Sequence, residues 1–308
     1  MEAVKIILNP YSGRGRGDQL RRQIDDTFSR AGIDHEIALT DGPGHGIELA
    51  QAAREAGYRV IAAAGGDGTV SEVMNGIALA TPPGETVGTL ALLPVGSAND
   101  FTDELGYPRD LSAAVEIIAS GRRRRVDLGY VEVDGGERSR YFDNNMGMGF
   151  EARVTMESYK IKRLQGSALY VAAALRTLPQ FKAPHLELSC ELENGETWHR
   201  SDPTLLVTIG NTRRTGGGFY LTPDALPDDG YFDVGIAKAL PVWRVMTLLP
   251  KALYGKHTSD SAVTMLRCRT IHARCEEGLP VQLDGEILAQ RAHEVRVEVQ
   301  PLRLEIIA

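Results

Sequence analysis

The sequence is poor in cysteine and contains no long uninterrupted apolar run. Its 3 cysteines are too few, and odd in number, to form a disulfide framework, which favours a reducing compartment. The first apolar stretch, Val4–Leu8, is too short for the core of a signal peptide. Charged residues interrupt the later apolar stretches before they reach the ~20 residues of a membrane span. We therefore expect a cytoplasmic protein whose membrane contacts are peripheral, at the inner membrane face.

The sequence also lacks an excess of positive charge. Lys and Arg number 34 against 41 for Asp and Glu, which gives a formal net charge of −7. Because affinity for nucleic acids depends on clustered cations, a nucleic-acid partner is not expected. The 308 residues suit about two domains of ~150 residues each, and an apolar content of 43% is enough to form a core in both.

The hydrophobic pattern changes near residue 124. Before this point, short apolar runs alternate with helical spacing in the order βαβαβαβα, and after it most periodic segments are typical of strands. Helical spacing returns at 161–178 and 242–254. The sequence therefore predicts an α/β domain over 1–124 and a mainly β domain over 125–308, and leaves open whether the last segment returns to the first domain.

A glycine-rich turn follows the third predicted strand and precedes a predicted helix. It reads Gly65-Gly66-Asp67-Gly68-Thr69. Glycines let backbone N–H groups approach an anion, and the helix N-terminus adds unpaired donors, so the turn predicts a phosphate site. A carboxylate beside phosphate is repulsive unless a metal or a sugar hydroxyl lies between, so Asp67 is interpreted as linked to Mg²⁺ or orienting a nucleotide. A tight turn with Asp67 as a helix cap explains the same residues.

Two more small polar loops follow predicted strands, at 9–15 and 93–100. Because the carboxyl ends of parallel strands meet at one edge of a sheet, we expect the three loops to converge. The glycines do not have the spacing of a dinucleotide fingerprint, and a Walker A lysine is missing. The loops therefore predict a phosphate site of another type.

Together the loops resemble the catalytic domain of diacylglycerol and sphingosine kinases, and most of all the bacterial YegS-like lipid kinases. The matching motifs are Asn9-Pro-x-Ser-Gly-x-Gly, Gly65-Gly-Asp-Gly-Thr-x-x-Glu72, Leu93-Pro-x-Gly-Ser-Ala-Asn-Asp100, Gly147-Met-Gly-Phe-Glu151-Ala, Asp229-Gly-Tyr-Phe-Asp233 and Asp284-Gly-Glu286. The resemblance covers essentially the whole chain. Ser97 replaces a usual Thr, and Glu151 replaces a usual Asp.

The resemblance implies a nucleotide-binding α/β domain and a β-sandwich-like domain, with ATP and a lipid substrate meeting between them. The residues that match nucleotide-binding positions are Asn9, Thr40, Gly65, Gly66, Asp67, Gly68, Thr69, Val70, Ser71, Glu72, Ser97, Asn99 and Asp100. A structural Mg²⁺ is implied at Asp229 and the backbone carbonyls of Leu226 and Tyr231. The resemblance implies Glu286 as the catalytic base with Asp284 beside it, and the spacing of two residues would place both side chains on one face of a strand. With Asp67, these are the predicted catalytic residues.

Other functions stay open at this point. The Gly65–Thr69 motif also occurs in NAD kinases, where a ribose hydroxyl is the acceptor, and a non-catalytic nucleotide sensor would keep the loops, although the intact carboxylates count against it. The sequence does not distinguish diacylglycerol, phosphatidylglycerol or a sphingoid base as acceptor, and it leaves a homodimer open. The run Arg122–Arg125 favours a solvated surface over a site for phosphate or an anionic membrane.

Overall fold

The structure is a computed structural model that describes residues 2–96 and 99–308. Ser97, which the sequence predicts as a nucleotide contact, lies outside the described residues. The chain forms two compact units, one from the residues up to Asp127 together with Leu302–Ala308, and the other from Leu128–Pro301. No helix in the described part of the chain is long and apolar enough to cross a membrane.

The first unit is built on a parallel sheet. Its elements are β1 (Val4–Leu8), α1 (Ser12–Arg30), β2 (His35–Leu39), α2 (His45–Glu55), β3 (Val60–Gly65), α3 (Asp67–Leu79), β4 (Val87–Pro94), α4 (Asp100–Glu104) and α5 (Leu111–Ser120). The strands lie in the order β4-β3-β1-β2 and pair in parallel. The end of the last strand of the chain, β12 (Glu286–Ile307), pairs in parallel with β4 through Leu304 and Ile306. The carboxyl ends of these strands therefore lie at one edge.

Buried apolar residues explain why β3 lies inside this sheet. It reads Val-Ile-Ala-Ala-Ala-Gly and is buried along its whole length, as is typical of a parallel strand that is covered on both faces. Ala62 and Ala64 belong to one core cluster with Ile24 and Phe28 of α1. The small side chains of β3 leave room for the bulky residues of the helix.

The second unit is mainly antiparallel. Its strands are β5 (Arg123–Val133), which begins in the first unit, β6 (Arg138–Phe142), β7 (Asn145–Gly149), β8 (His185–Leu192), β9 (Thr197–Gly210), β10 (Phe232–Lys238), β11 (Val263–Leu283) and the first part of β12. Its helices are α6 (Phe150–Ser158), α7 (Gly166–Thr177) and α8 (Val242–Ala252). The strands β8, β9, β10 and β11 close into a ring of antiparallel neighbours. The second unit has its own apolar core cluster. In this cluster the rings of Phe142 of β6 and Phe232 of β10 stack with their centroids 5.4 Å apart.

The predicted fold class, an α/β part followed by a β-sandwich-like part, is confirmed, with two differences in the elements. The helix predicted over 161–178 begins only at Gly166, and a separate helix, α6, precedes it. Residues 140–145, whose apolar pattern predicts a single strand, belong instead to two strands, because the chain turns at Asp143 and Asn144. The backbone N–H groups of both residues are bonded there to a side chain that is distant in sequence.

Gly76 of α3 sets how closely α2 and α3 pack. A Cβ atom on Gly76 would lie 2.3 Å from Ile47 O and 2.6 Å from Ala50 Cβ. We predict that Gly76→Ala lowers the free energy of unfolding by about 1–3 kcal/mol, the usual cost of overpacking. Gly42→Ala is the control, since nothing lies within 4 Å of a Cβ there, and its effect should stay within about 0.5 kcal/mol. Equal denaturant midpoints for the two variants would contradict this packing role.

Candidate active site

Four loops of the first unit leave the sheet at its carboxyl edge, after β1, β2, β3 and β4. Backbone hydrogen bonds join the loops after β1 and β4 to the end of β3. Asn9 N donates to Ala64 O at 3.0 Å, and Gly96 N donates to Gly65 O at 2.9 Å. Thr40 begins the loop after β2. The structure therefore brings Asn9, Thr40 and the glycine turn to one edge, as the sequence predicts for parallel strands.

Two glycines let these loops approach one another. A Cβ atom on Gly65 would lie 2.2 Å from the Thr69 hydroxyl, and one on Gly96 would lie 2.3 Å from Gly66 Cα. A side chain at Gly65 would displace Thr69 of the same turn, and one at Gly96 would push the loops after β3 and β4 apart. The helix α3 begins directly after Gly66, and Thr69 N and Val70 N both donate to Gly66 O. Gly68 N, one residue before them, has no acceptor inside the helix. This arrangement suits a phosphate group.

The Asp67 side chain connects the loop after β3 with the loop after β4. Its carboxylate accepts hydrogen bonds from Asp100 N at 3.0 Å and from Phe101 N at 3.3 Å, at the start of α4. The N-cap residue of α3 is Gly66, not Asp67. Asp67 therefore caps a neighbouring helix rather than its own, and it fixes α4 beside the glycine turn. Its contact with a nucleotide or a metal stays a prediction.

Three of the predicted nucleotide residues, Val70, Ser71 and Glu72, are buried in α3. Glu72 Oε1 accepts a hydrogen bond from Gly44 N at 2.7 Å, and Glu72 Oε2 accepts one from Gly46 N at 2.9 Å. Both carboxylate oxygens are thus used to fix the beginning of α2. The structure shows a structural role for Glu72, and nucleotide contact by these three residues stays a prediction.

The amide side chains at this edge also bond within it. Asn9 Nδ2 donates to Thr69 Oγ1 at 3.2 Å, and Asn99 Nδ2 donates to Gly96 O at 2.9 Å. Asn99 is buried, as is Asp100. These bonds fix the loops relative to one another.

In the second unit, Asp284 and Glu286 lie at a turn rather than along one strand. The strand β11 ends at Leu283 and β12 begins at Glu286. Asp284 and Gly285 form the two-residue connection, with φ values of +48° and +84°, as is typical of a tight β-hairpin. The expectation that both carboxylates share a strand face is therefore wrong, because a spacing of two residues also fits the two ends of a hairpin turn.

Backbone donors hold the carboxylate of Asp284. Its Oδ1 accepts hydrogen bonds from Asn144 N at 3.1 Å and Asn145 N at 2.9 Å, and its Oδ2 accepts one from Asp143 N at 3.3 Å. Desolvation raises the pKa of Asp284 to about 6, and the three donors and the charge of Arg140 oppose that rise. Asp284 is therefore mainly ionised at pH 7.

Glu286 is held by one oxygen only. Its Oε2 pairs with Arg140 Nη1 at 2.7 Å, and 34% of its side chain is exposed. The side chain of Glu286 forms no other hydrogen bond or ion pair with the described residues. On the other side of the turn, the Tyr159 hydroxyl donates to Gly285 O at 2.6 Å. The hairpin therefore leaves Glu286 Oε1 able to accept a proton.

A buried polar network beside this turn received no functional assignment from the sequence. Gln282 Nε2 donates to Asn145 Oδ1 at 2.8 Å and to Glu151 Oε1 at 3.1 Å, while Gln282 Oε1 accepts from Gly285 N at 2.9 Å. Desolvation raises the pKa of Glu151 to about 8, although hydrogen bonds from Thr208 and Gln282 lower it. Glu151 is therefore mainly protonated at pH 7. The signal in the sequence was its place in the motif Gly147-Met-Gly-Phe-Glu151-Ala, at the start of α6.

The predicted magnesium ligand Asp229 has both carboxylate oxygens engaged. Its Oδ1 accepts from Tyr231 N at 3.0 Å, and its Oδ2 pairs with Arg267 Nη2 at 2.6 Å. Within the described residues, no group of three or more His, Cys, Asp or Glu side chains could hold a metal ion. Because the guanidinium of Arg267 already neutralises Asp229, this arrangement does not fit a resident Mg²⁺ at Asp229 and the carbonyls of Leu226 and Tyr231.

The raised pKa of Glu151 predicts a pH-dependent effect of Glu151→Gln. Between its ordinary pKa near 4.5 and its folded pKa of about 8, Glu151 ionises in the unfolded chain but stays protonated in the folded one. Its contribution to stability therefore falls as the pH rises through this range. We predict that the free energy of unfolding of Glu151→Gln, relative to the wild type, increases between pH 5 and pH 8 in denaturant titrations.

Glu187→Gln is the control for this prediction, since Glu187 is exposed on β8. Its difference from the wild type should not change with pH. If the difference in free energy of unfolding between Glu151→Gln and the wild type were constant from pH 5 to pH 8, Glu151 would not be protonated in the folded protein at pH 7.

Two family models match successive parts of the chain. Residues 3–131 match the diacylglycerol kinase catalytic domain, and residues 144–308 match the YegS C-terminal NAD kinase beta sandwich-like domain. The chain is 31% identical to a diacylglycerol kinase of Bacillus subtilis over 288 residues, which cover 93% of this chain and 90% of the relative. It is 34% identical to a protein of Pseudomonas savastanoi pv. phaseolicola named "Probable lipid kinase YegS-like" over 98% of this chain and 92% of that relative.

Solved structures share the fold. A crystal structure of a diacylglycerol kinase from Bacillus anthracis has a TM-score of 0.72 at 22% identity and covers 99% of this chain and 96% of its own. Yeast NADH kinase complexed with NADH has a TM-score of 0.55 at 9% identity, over 100% of this chain and 83% of its own. At these identities the two likenesses show the fold alone. On its two family models and its relatives above 30% identity, the chain belongs to the diacylglycerol kinase and YegS-like family of lipid kinases.

Proposed function

We propose that this protein transfers the γ-phosphoryl group of ATP, bound as its magnesium complex, to a hydroxyl group of a lipid. The observation that carries the proposal is the Glu286 carboxylate, which Arg140 holds by one oxygen while the other can accept a proton. The names of the relatives support a lipid acceptor, and diacylglycerol is the acceptor to test first because it is named for the Bacillus subtilis relative.

The first unit is the proposed nucleotide site. The N–H groups at the start of α3, together with the positive end of the helix dipole, offset the negative charge of phosphate. Asp67 and Asp100 lie at the same edge, and carboxylates repel phosphates unless a cation lies between them. The proposed substrate is therefore Mg·ATP, whose metal also neutralises charge on the transferring group.

The second unit is the proposed source of the proton acceptor. An acceptor hydroxyl must lose its proton as its oxygen attacks the γ-phosphorus, and a positioned carboxylate can take that proton. We assign this role to Glu286, with Arg140 fixing its direction. Asp284 positions the turn, because its carboxylate is already bonded to three backbone N–H groups.

A ribose hydroxyl is the competing acceptor, as in an NAD kinase-like enzyme. Its support is the Gly65–Thr69 motif, which also occurs in NAD kinases, and the likeness to yeast NADH kinase, which at 9% identity concerns the fold. A lipid acceptor agrees with the relatives named as diacylglycerol and lipid kinases at 31% and 34% identity. Retention of Asp67, Asp284 and Glu286 also disfavours a nucleotide sensor without activity.

We predict that Glu286→Gln lowers kcat for diacylglycerol phosphorylation by about 10²- to 10⁴-fold, the usual cost of losing a general base. The side chain keeps its size, so the melting temperature and the affinity for ATP should stay close to the wild type. Steady-state kinetics and equilibrium nucleotide binding measure the two effects separately. Glu298→Gln, an exposed position on the same strand, is the control and should keep full activity.

The companion variant Asp284→Asn distinguishes the base from the positioning residue. Its amide nitrogen cannot accept from the N–H groups of 143–145, so this variant should lose stability as well as activity. A Glu286→Gln enzyme with near-normal turnover, beside a stable but inactive Asp284→Asn enzyme, would move the base to Asp284.

A further inference from the structure

The helix α8 exposes an apolar surface that the fold of its own unit does not cover. Val242, Trp243 and Met246 are 47%, 66% and 42% exposed, and Pro250 is exposed in the next turn. At 3.6 residues per turn, these four side chains lie within an arc of about 100° on one side of the helix. We call this the α8 face. Large apolar side chains in such a contiguous group mark a contact surface.

The segment that contains α8 is rich in positive charge, and we call its four cations the basic border of the α8 face. The segment 238–256 contains Lys238, Arg244, Lys251 and Lys256 but no Asp or Glu, although the whole chain has a net charge of −7. Arg244 and Lys251 share the single acidic partner Asp260, at 2.7 and 3.6 Å. Lys238 and Lys256 are exposed and form no ion pair with the described residues. The border therefore keeps a net positive charge.

The opposite side of α8 packs toward the carboxylate turn. Val245 and Leu249 belong to an apolar cluster with Phe150 of α6 and Ala173 of α7. The same α6 leads to Tyr159, whose hydroxyl is bonded to Gly285 O. The helix α6 therefore packs with α8 at one point and leads to the hairpin of Asp284 and Glu286 at its end.

We propose that the α8 face, with its four bordering cations, docks this protein on the surface of an anionic lipid bilayer. An exposed apolar stripe with Trp and a basic border is typical of helices that lie in the membrane interface. A second copy of the chain is the less suitable occupant, because symmetric pairing would place the same cations of both copies against each other. The claim that this docking serves catalysis rests on the proposed function. The binding to a bilayer does not depend on that function.

Sedimentation with vesicles tests the docking. Wild-type protein should bind vesicles of phosphatidylcholine and phosphatidylglycerol, and it should bind pure phosphatidylcholine vesicles much more weakly. Trp243→Ser/Met246→Ser should lower the vesicle affinity more than about 10-fold through lost apolar burial. Lys238→Glu/Lys256→Glu should lower it at least about 30-fold, because each cation near an anionic surface contributes about fivefold in affinity.

Two control variants match these changes elsewhere on the chain. Leu79→Ser removes an exposed apolar side chain from α3, and Arg274→Glu/Arg296→Glu makes the same change in net charge at exposed positions of β11 and β12. Both should bind vesicles as the wild type does. In a Trp198→Phe background Trp243 is the single tryptophan, and its emission should shift to shorter wavelength on adding anionic vesicles.

A kinase assay separates failure of the docking from failure of the proposed function. With diacylglycerol in detergent micelles, Trp243→Ser/Met246→Ser should keep the wild-type kcat, and with diacylglycerol in anionic vesicles it should show a raised KM. Vesicle binding without activity on either form would leave the docking supported and overturn the lipid kinase. The docking would be overturned if Trp243→Ser/Met246→Ser and Lys238→Glu/Lys256→Glu both bound vesicles with unchanged affinity. It would also be overturned if the wild type were a dimer that Trp243→Ser/Met246→Ser turns into a monomer.

Discussion

The hydrogen bonds from three backbone N–H groups to the Asp284 carboxylate are the interaction on which the site of the second unit depends. They join the end of β11 to the turn at 143–145, which leads into β7. Because that turn and the hairpin are fixed together, Gln282 reaches both Asn145 and Glu151. The direction in which Glu286 leaves the hairpin is set by the same bonds, and Arg140 then orients its carboxylate.

The carboxyl groups around this turn differ in charge because their surroundings differ. The Glu151 carboxyl group is desolvated and receives few hydrogen bonds, so it stays mainly protonated at pH 7. The Asp284 carboxylate receives hydrogen bonds from three backbone N–H groups, so it stays mainly ionised. Glu286 is more exposed and is paired with Arg140. A neutral Glu151 and a cationic Arg140 limit the negative charge near the turn. Environments that separate the pKa values of neighbouring acids are typical of sites for proton transfer.

Local patterns made the first unit largely predictable. The buried run of β3 and the glycines after it lie within a few residues of one another, so the strand, the turn and α3 follow from adjacent positions. The bond from Asp67 to the start of α4 could not be predicted, since its partners lie 33 and 34 residues away. The glycines at 13–17 favour a loop, yet α1 begins at Ser12. A Cβ on Gly17 would lie 2.2 Å from Asn9 O, so this glycine serves close packing.

The site of the second unit was less predictable, because its residues are brought together by strand pairing over more than 130 positions, as between Gln282 and Glu151. The measurement that tests the account most directly is the fate of label from γ-labelled ATP when purified protein is given diacylglycerol vesicles and NAD together with Mg²⁺. We expect magnesium-dependent label in an organic-extractable product, and this label should fall at least about 100-fold with Glu286→Gln. Label in NAD with none in the organic phase would contradict it.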